Sequence, residues 1–413
     1  MTRSRSVADW SGWRDLSGAV HRLHAADACT LRQQVSIAGI AAPTGAEGAR
    51  GKLVADLLRA SGWHNVAVDA VGNVCAVLRP RVTTFAASAV VCLAHLDTVF
   101  DERTSLVATT VGSQVQCPGI GDNGRGLAAL LALADALQPP DVLHLLRRPI
   151  ELVATVGEEG EGNLRGTRHF FDDRAQRGVS QPIAAVVLDG PGDTAIAHYA
   201  LGSLRLRVRI TGAGGHSWVD YGTPNPIHAM ATAMEAITRL GAAHTPTVAV
   251  TISRLSGGES LTSIPVDAWF DLDMRSTDAL ALANAAYEVR RIVHGVVADA
   301  SRNVTVHGRI IQDAALRAEI ITLGERPGGC LPSTHPLVEL AASATRWQSC
   351  EPVSATASSD ANIPLSRGIP AITIGAGGRG GGAHSLHEWY DNTNGMRGIA
   401  RALAIVVALA SQP

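Results

Sequence analysis

Two kinds of apolar spacing alternate along the first half of the chain, and each predicts a different element. Short continuous runs, Ala89-Val90-Val91-Cys92-Leu93-Ala94 and Ala185-Val186-Val187-Leu188 among them, are bounded by Gly or polar residues. They mark strands buried on both faces of a parallel sheet. Segments with apolar residues three and four apart predict helices over Ala25–Ala42, Gly48–Gly62 and Gly124–Leu137. The break Ala42-Pro43-Thr44-Gly45 separates the first two. A strand pair over Val66–Val71 and Asn73–Leu78, with further strands ending at His95, Val156 and Leu188, completes a βαβ alternation. That order implies an α/β fold on a doubly wound, mostly parallel sheet.

The pattern changes near Leu201. Leu204-Arg205-Leu206-Arg207-Val208-Arg209-Ile210 alternates apolar and charged residues, as a strand with one wet face does. A helix over Pro226–Leu240, strands over Thr247–Leu255 and Ala268–Met274, a helix over Asp278–Ala298 and a strand near Leu316–Leu323 follow. The order β-α-β-β-α-β predicts a ferredoxin-like α+β unit, with helices on one face of an antiparallel sheet. It reads as an insertion. Helix resumes over His335–Arg346, a buried strand over Pro370–Ile374 and a last helix over about Gly395–Ala410. The expected division is residues 1–200 with 326–413 as one domain, and 201–325 as the inserted one.

Composition narrows the function classes. At 413 residues the chain exceeds what one core usually supports. Its 46% apolar and 4% aromatic content describes a globular enzyme built on Ala, Val and Leu rather than a disordered chain. A net charge of −2 without basic runs gives no electrostatic case for nucleic acid or membrane as a partner. Scattered cysteines with no CxxC suggest neither a zinc ribbon nor a disulfide framework. Met1-Thr2-Arg3-Ser4-Arg5-Ser6 precedes polar sequence without an apolar targeting segment, and no stretch reaches about 18 consecutive apolar residues, so a cytoplasmic location is expected. The only lysine, Lys52, is followed by Leu53, which removes a P-loop.

The chemistry-bearing residues fall where the predicted strands and turns end. In open α/β sheets, ligands bind beyond the carboxyl ends of the strands. His95, Asp97, Asp122, the pair Glu158-Glu159, Asp189 and His384 are placed to meet there, and their types suit hard-to-borderline divalent metals. Residues two apart on a strand share a face, so His95-x-Asp97 fits a metal-ligating imidazole with an orienting carboxylate. Taken alone it also fits a solvated strand end. Gly121-Asp122-Asn123-Gly124 puts a carboxylate on a tight turn where it can bridge two metals, although the same tetrapeptide is ordinary turn chemistry.

Gly157-Glu158-Glu159-Gly160 offers adjacent acids whose side chains diverge, one toward metal and one toward substrate. Two metals sharing a carboxylate would lie about 3.5–4 Å apart and activate a water, whose proton Glu158 would pass to the leaving amine. The Gly-rich run from Gly375 to Gly382, Gly378 included, reads as backbone left bare for close approach of a bound group. Asn225 in Pro224-Asn225-Pro226 reads as a helix N-cap and is also taken as a candidate substrate contact. His198, His228 and His387 carry no motif support, and Glu388 and Trp389 read as packing for the final loop.

Together, His95-Leu96-Asp97-Thr98, Gly121-Asp122-Asn123-Gly124, Gly157-Glu158-Glu159-Gly160, Leu188-Asp189-Gly190, Gly215-His216-Ser217 and Gly382-Ala383-His384-Ser385 resemble a known family. It is that of the co-catalytic di-zinc amidohydrolases and peptidases, which contains acetylornithine deacetylase, succinyl-diaminopimelate desuccinylase, glutamate carboxypeptidase, aminoacylase and peptidase T. The resemblance implies one metal held by His95, Asp122 and Asp189 and another by Asp122, Glu159 and His384, with Zn(2+) first and Co(2+) or Mn(2+) as other candidates. It implies that Asp97 orients His95, that Glu158 is general base and acid, and that the inserted domain is a lid mediating a homodimer. His216 would stabilise the oxyanion, commonly in the partner subunit's site, and Arg275 would grip a substrate carboxylate.

The expected substrates are short peptides or N-acyl amino acids. The alternatives are an N-carbamoyl or ureido-amide hydrolase on the same scaffold and a catalytically silent homologue. One departure concerns substrate: Thr262 stands in Gly257-Gly258-Glu259-Ser260-Leu261-Thr262-Ser263-Ile264-Pro265 where relatives typically carry Asn.

Overall fold

Successive side chains of the central strands enter two separate cores, as a sheet covered on both faces requires. Val90, Cys92 and Ala94 join Ile150, Leu152, Ala184 and Val186 in one core. Val91, Leu93, Val153, Ala185 and Val187 join Phe170, Phe171 and Ile363 in the other. The computed structural model describes residues 12–80, 88–244, 247–301, 305–306, 309–310 and 315–412. The N-terminal hexapeptide Met1–Ser6, read above for targeting, lies outside them. The chain divides into two compact units, Met1–Ala200 with Cys330–Pro413 and Leu201–Gly329. Among the described residues no helix is long and apolar enough to cross a membrane.

In the first unit the sheet runs Val66–Val68, Val74–Leu78, Ile150–Thr155, Val90–His95, Ala184–Leu188, Ala371–Ile374, Ala195–Ala200. The four strands from Ile150–Thr155 to Ala371–Ile374 are mutually parallel. Val74–Leu78 and Ala195–Ala200 flank them antiparallel, and Val353–Ala357 pairs with the latter in parallel. The sequence pattern does not predict Ala195–Ala200 or Val353–Ala357, because His198 interrupts the first and Ser354 and Thr356 interrupt the second. A second sheet of three-residue strands, Arg379–Gly381, Trp389–Asp391, Gln114–Gln116 and Thr109–Val111, is too short for any periodicity to show.

The helix expected over Ala25–Ala42 is found as Asp27–Ala38, and a further helix, Ser17–Ala25, precedes it. The final helix, Gly395–Ala410, is buried along its length apart from Arg397, which its nearly unbroken apolar composition requires. Leu93 is fully buried among the aromatic rings of its core.

The second unit is a four-stranded antiparallel sheet in the order Ala249–Gly257, Asp267–Ser276, Gly202–Thr211, Arg317–Arg326. Helices Pro226–His244 and Ala279–Ala300 supply one apolar layer against Leu206, Val208, Ile210, Phe270 and Leu272. The alternate residues carry a charge ladder. Arg207 Nε and Nη2 donate to the two oxygens of Asp271 at 2.8 and 3.0 Å, Arg254 Nε donates to Asp271 at 2.7 Å, and the Arg207 guanidinium lies 4.0 Å over the Trp269 ring. These hydrogen bonds, Arg207's first, hold the Asp271 carboxyl below its ordinary value although burial opposes them.

Leu93→Ala should destabilise the first unit by about 2–5 kcal/mol through lost burial and a residual cavity, read from chemical denaturation. The Asp271 pairing stabilises the second unit above the unfolded value of about 3.9 and is lost as pH falls through the lower folded value. Asp271→Asn should therefore be less stable than wild type at pH 7, with the gap closing below about pH 4, read from denaturation midpoints at both pH values.

Candidate metal centre

The parallel strands end at one edge of the sheet, where the candidate side chains converge. His95 closes its strand level with Thr155, and Glu158 and Glu159 follow Thr155 within one turn of chain. Asp189 follows Leu188 directly, Asp122 sits on the turn before Gly124–Leu137, and His384 comes from the segment after Ala371–Ile374. One oxygen of Asp122, Oδ1, lies 3.0 Å from His95 Nε2, which is 3.7 Å from Asp189 Oδ1. The other, Oδ2, lies 3.1 Å from His384 Nε2, which is 2.9 Å from Glu159 Oε1. Donor atoms of His95, Asp122 and Glu159 all lie within 4.8 Å of one another.

Two observations show that this set suits divalent cations. Asp122 Oδ1 is buried and stands 3.0 Å from His95 Nε2, so the two donor atoms flank a common point. Bonds of about 2.0–2.1 Å in a tetrahedron place donors about 3.3 Å apart, close to the separations seen here. Secondly, the carboxylates outnumber the imidazoles, and the cluster lacks positive charge. Burial opposes a charged His95, yet hydrogen bonds to Asp122, Asp189 and Asp97 raise it well above its ordinary value. Hydrogen bonds to Asp122 and Glu159 push His384 up to about 10. Asp122, against its burial, is held well below the usual carboxylate range by His384 and His95.

The surrounding residues hold this crowded set in place. His95 Nδ1 lies 3.0 Å from the backbone carbonyl of Asp97 but 3.7 Å from its carboxylate, so the carbonyl is the group that orients the ring. The Asp97 carboxylate stands at ion-pair distance from the same nitrogen. That carboxylate is fully buried and accepts the N–H groups of Glu158 and Glu159, each at 2.9 Å, and the Thr44 hydroxyl at 2.8 Å. It fixes the turn carrying both acids. Glu47 joins in by accepting Gly157 N–H at 3.0 Å. Asn123 Oδ1 accepts from Gly190 N–H at 3.1 Å while its amide donates to Leu188 O at 3.0 Å, bracketing Asp189.

Fully buried guanidiniums satisfy carbonyls at the same edge. Arg50 reaches Ile40 and Leu96, Arg125 reaches Ala376 and Gly395, and Arg401 reaches Asp193 and Gly375. None of these partners follows from a motif, because each is set by where distant loops meet. His384 itself has φ +63, a left-handed conformation that costs about 1–3 kcal/mol outside glycine and is held by its neighbours.

The remaining sequence candidates have partners of their own. The glycine run packs against protein: a Cβ at Gly377 would overlap Gly395 O, and at Gly378 it would come within 2.3 Å of Tyr390 Oη. The bare backbone is thus required by Tyr390 and the last helix, and Arg379–Gly381 is strand. Asn225 caps its helix, accepting Ile227 N–H at 2.9 Å. His216, Asn225 and Arg275 belong to the second unit. His216 Nδ1 accepts the N–H groups of Trp218 and Val219 at 3.2 and 3.3 Å, which leaves Nε2 as the protonated, donating nitrogen of the neutral ring. Arg275 Nε donates to Asp273 at 2.7 Å. His198, between Leu331 O and Ser354 Oγ, is a satisfied structural residue.

Asp97→Ala should leave the amides of Glu158 and Glu159 without their acceptor and weaken divalent-metal affinity about 10–100-fold, measured by calorimetric titration.

Comparison with known proteins bears on the fold and the family. The fold is similar to that of a tripeptidase from Staphylococcus aureus subsp. aureus Mu50, with TM-score 0.75 and 17% identity over 94% of this chain and 99% of that one. It is similar to a di-peptidase from Saccharomyces cerevisiae, with TM-score 0.69 and 12% identity over 96% and 99%. An amidase of the hydantoinase/carbamoylase family from Burkholderia vietnamiensis gives TM-score 0.65 and 18% identity over 95% and 98%. At such identities the likeness is one of fold. No curated protein matches the chain by sequence. Residues 91–412, which carry every ligand candidate above, match Peptidase family M20/M25/M40, and the chain belongs to that family of hydrolases acting on C–N bonds.

Proposed function

We propose that the protein is a co-catalytic di-metal hydrolase that cleaves an amide or peptide bond in small carboxylate-bearing substrates, short peptides or N-acyl amino acids. The observation that carries this reading is the shared carboxylate. Asp122 faces His95 and Asp189 with one oxygen and His384 and Glu159 with the other. His95, Asp122 and Asp189 would hold one ion and Asp122, Glu159 and His384 the second, with Zn(2+) the first candidate and Co(2+) or Mn(2+) the others. When bound, such a pair supplies Lewis acidity at the scissile carbonyl and lowers the pKa of water toward about 7.

The chain's own residues do the rest. Glu158, buried beside Glu159 on the turn that Asp97 holds, takes the attacking water's proton and returns it to the leaving amine. His216, kept as an Nε2–H donor by its backbone partners, stabilises the developing oxyanion. Arg275 takes a substrate carboxylate, exchanging its pairing with Asp273 for a bidentate one. The reading includes a cytoplasmic homodimer formed through the second unit.

The test joins metal content to turnover on dipeptides, tripeptides, N-acyl and N-carbamoyl amino acids with Zn, Co or Mn added. Wild type should hold two ions per chain and hydrolyse the peptide or acyl substrates, whereas preference for N-carbamoyl compounds would overturn the substrate class. Glu158→Ala should keep both ions and lose turnover by about 10²–10⁴-fold. Loss of the ions together with turnover would mean that base and ligand are misassigned.

A further inference from the structure

Glu388 is only 1% exposed, and its carboxylate is committed to one short stretch of backbone. Oε2 accepts Gly119 N–H at 2.6 Å, and Oε1 accepts the N–H groups of Gly121 and Asp122 at 2.8 Å each. A buried carboxylate is costly unless hydrogen-bonded, and three charge-assisted bonds offset that cost. All three go to the turn that presents Asp122. The glycines of Gly119-Ile120-Gly121-Asp122 make the approach feasible. A Cβ at Gly121 would stand 3.0 Å from Glu388 Oε1 and 3.2 Å from Pro191 Cγ, and one at Gly119 would stand 2.9 Å from Thr98 Cγ2.

Glu388 also ends the tight turn that carries His384. Its N–H donates to Ser385 O at 3.2 Å, Ser385 N–H donates to Gly382 O at 3.0 Å, and its carbonyl accepts Cys117 N–H at 3.1 Å. Two turns far apart in sequence are therefore tied by both the backbone and the side chain of one residue. Those are the turns whose side chains face each other at 3.1 Å, Asp122 Oδ2 against His384 Nε2.

We propose that Glu388 is a positioning residue whose carboxylate holds the Asp122 and His384 turns in register, so that the two side chains present a common donor pair to a divalent cation. The proposal rests on the metal-centre reading above. Glu388 touches neither substrate nor cation, and it acts through the amides of Gly119, Gly121 and Asp122. The carboxylate is needed because its acceptors must face three donors; an amide of the same shape turns an N–H toward one of them.

The test is calorimetric titration of metal-free protein with Zn(2+) and with Co(2+), on wild type, Glu388→Gln and Glu388→Asp, with near-ultraviolet circular dichroism as the fold control. Glu388→Gln should weaken cation binding about 10–100-fold, as loss of supporting hydrogen bonds around metal ligands does, while Glu388→Asp, which keeps both acceptors on a shorter stem, should lose less. Gln equal to wild type with Asp the worse variant would show that the side chain merely fills space, overturning the proposal. If Gln does not fold, Asp decides: a loss of about threefold or more with a native spectrum supports the proposal, and wild-type affinity overturns it. Failure of both variants to fold also overturns it, in favour of a role in folding the whole unit. Wild type that binds no cation would instead sink the metal-centre reading, a result distinct from each of these.

Discussion

Packing Asp122, Asp189, Glu159 and Asp97 around two imidazoles sets the central constraint, because like charges at such distances repel strongly away from bulk water. Three kinds of group oppose that repulsion. The neighbouring carboxylates raise both imidazoles, His95 well above its ordinary value and His384 up to about 10. Backbone amides are aimed at the carboxylates, those of Glu158 and Glu159 at Asp97 among them. The third is cationic: Arg50, fully buried, reaches the carbonyl of Leu96, next to both His95 and Asp97. A divalent cation at the shared carboxylate relieves the same repulsion more fully, and it links the fold of the first unit to its chemistry.

The sheet makes this concentration possible. Four parallel strands end on one side, so the segments that follow them converge there. The sheet's faces are sealed by two distinct cores, which leaves the carboxyl edge as the place where polar groups emerge. Rigidity there comes from side chains that serve backbone groups. Asn123, Glu47, Asp97 and Glu388 each accept N–H groups from turns far away in sequence, and Arg125 and Arg401 cover carbonyls on the segments after Ala371–Ile374.

The second unit is built on a different economy. One face of its sheet is apolar against two helices, and the other carries Arg–Asp pairs and an Arg207–Trp269 stack. Its His216 ring is set by local backbone donors, the N–H groups of Trp218 and Val219. Thr262 lies in the same unit and gives its carbonyl to Ser217 N–H at 2.9 Å, one residue after His216. A substitution at that position therefore reaches the histidine loop through the backbone.

Periodicity alone determined the elements that the core needs: the strands ending at His95, Thr155 and Leu188, the helix after Asp122 and the antiparallel unit after Leu201 all follow from where apolar side chains must go. Residue type and order were also enough to single out His95, Asp122, Glu159, Asp189 and His384, since few side chains bind divalent metals. Tertiary structure alone decided which oxygen faces which imidazole, that the carbonyl of Asp97 meets His95, that Glu388 grips the Asp122 turn, and that Gly378 lies against Tyr390. A hydrophobic pattern reports burial along one segment. A hydrogen bond between residues 122 and 388 depends on the meeting of two segments, and no local pattern encodes it.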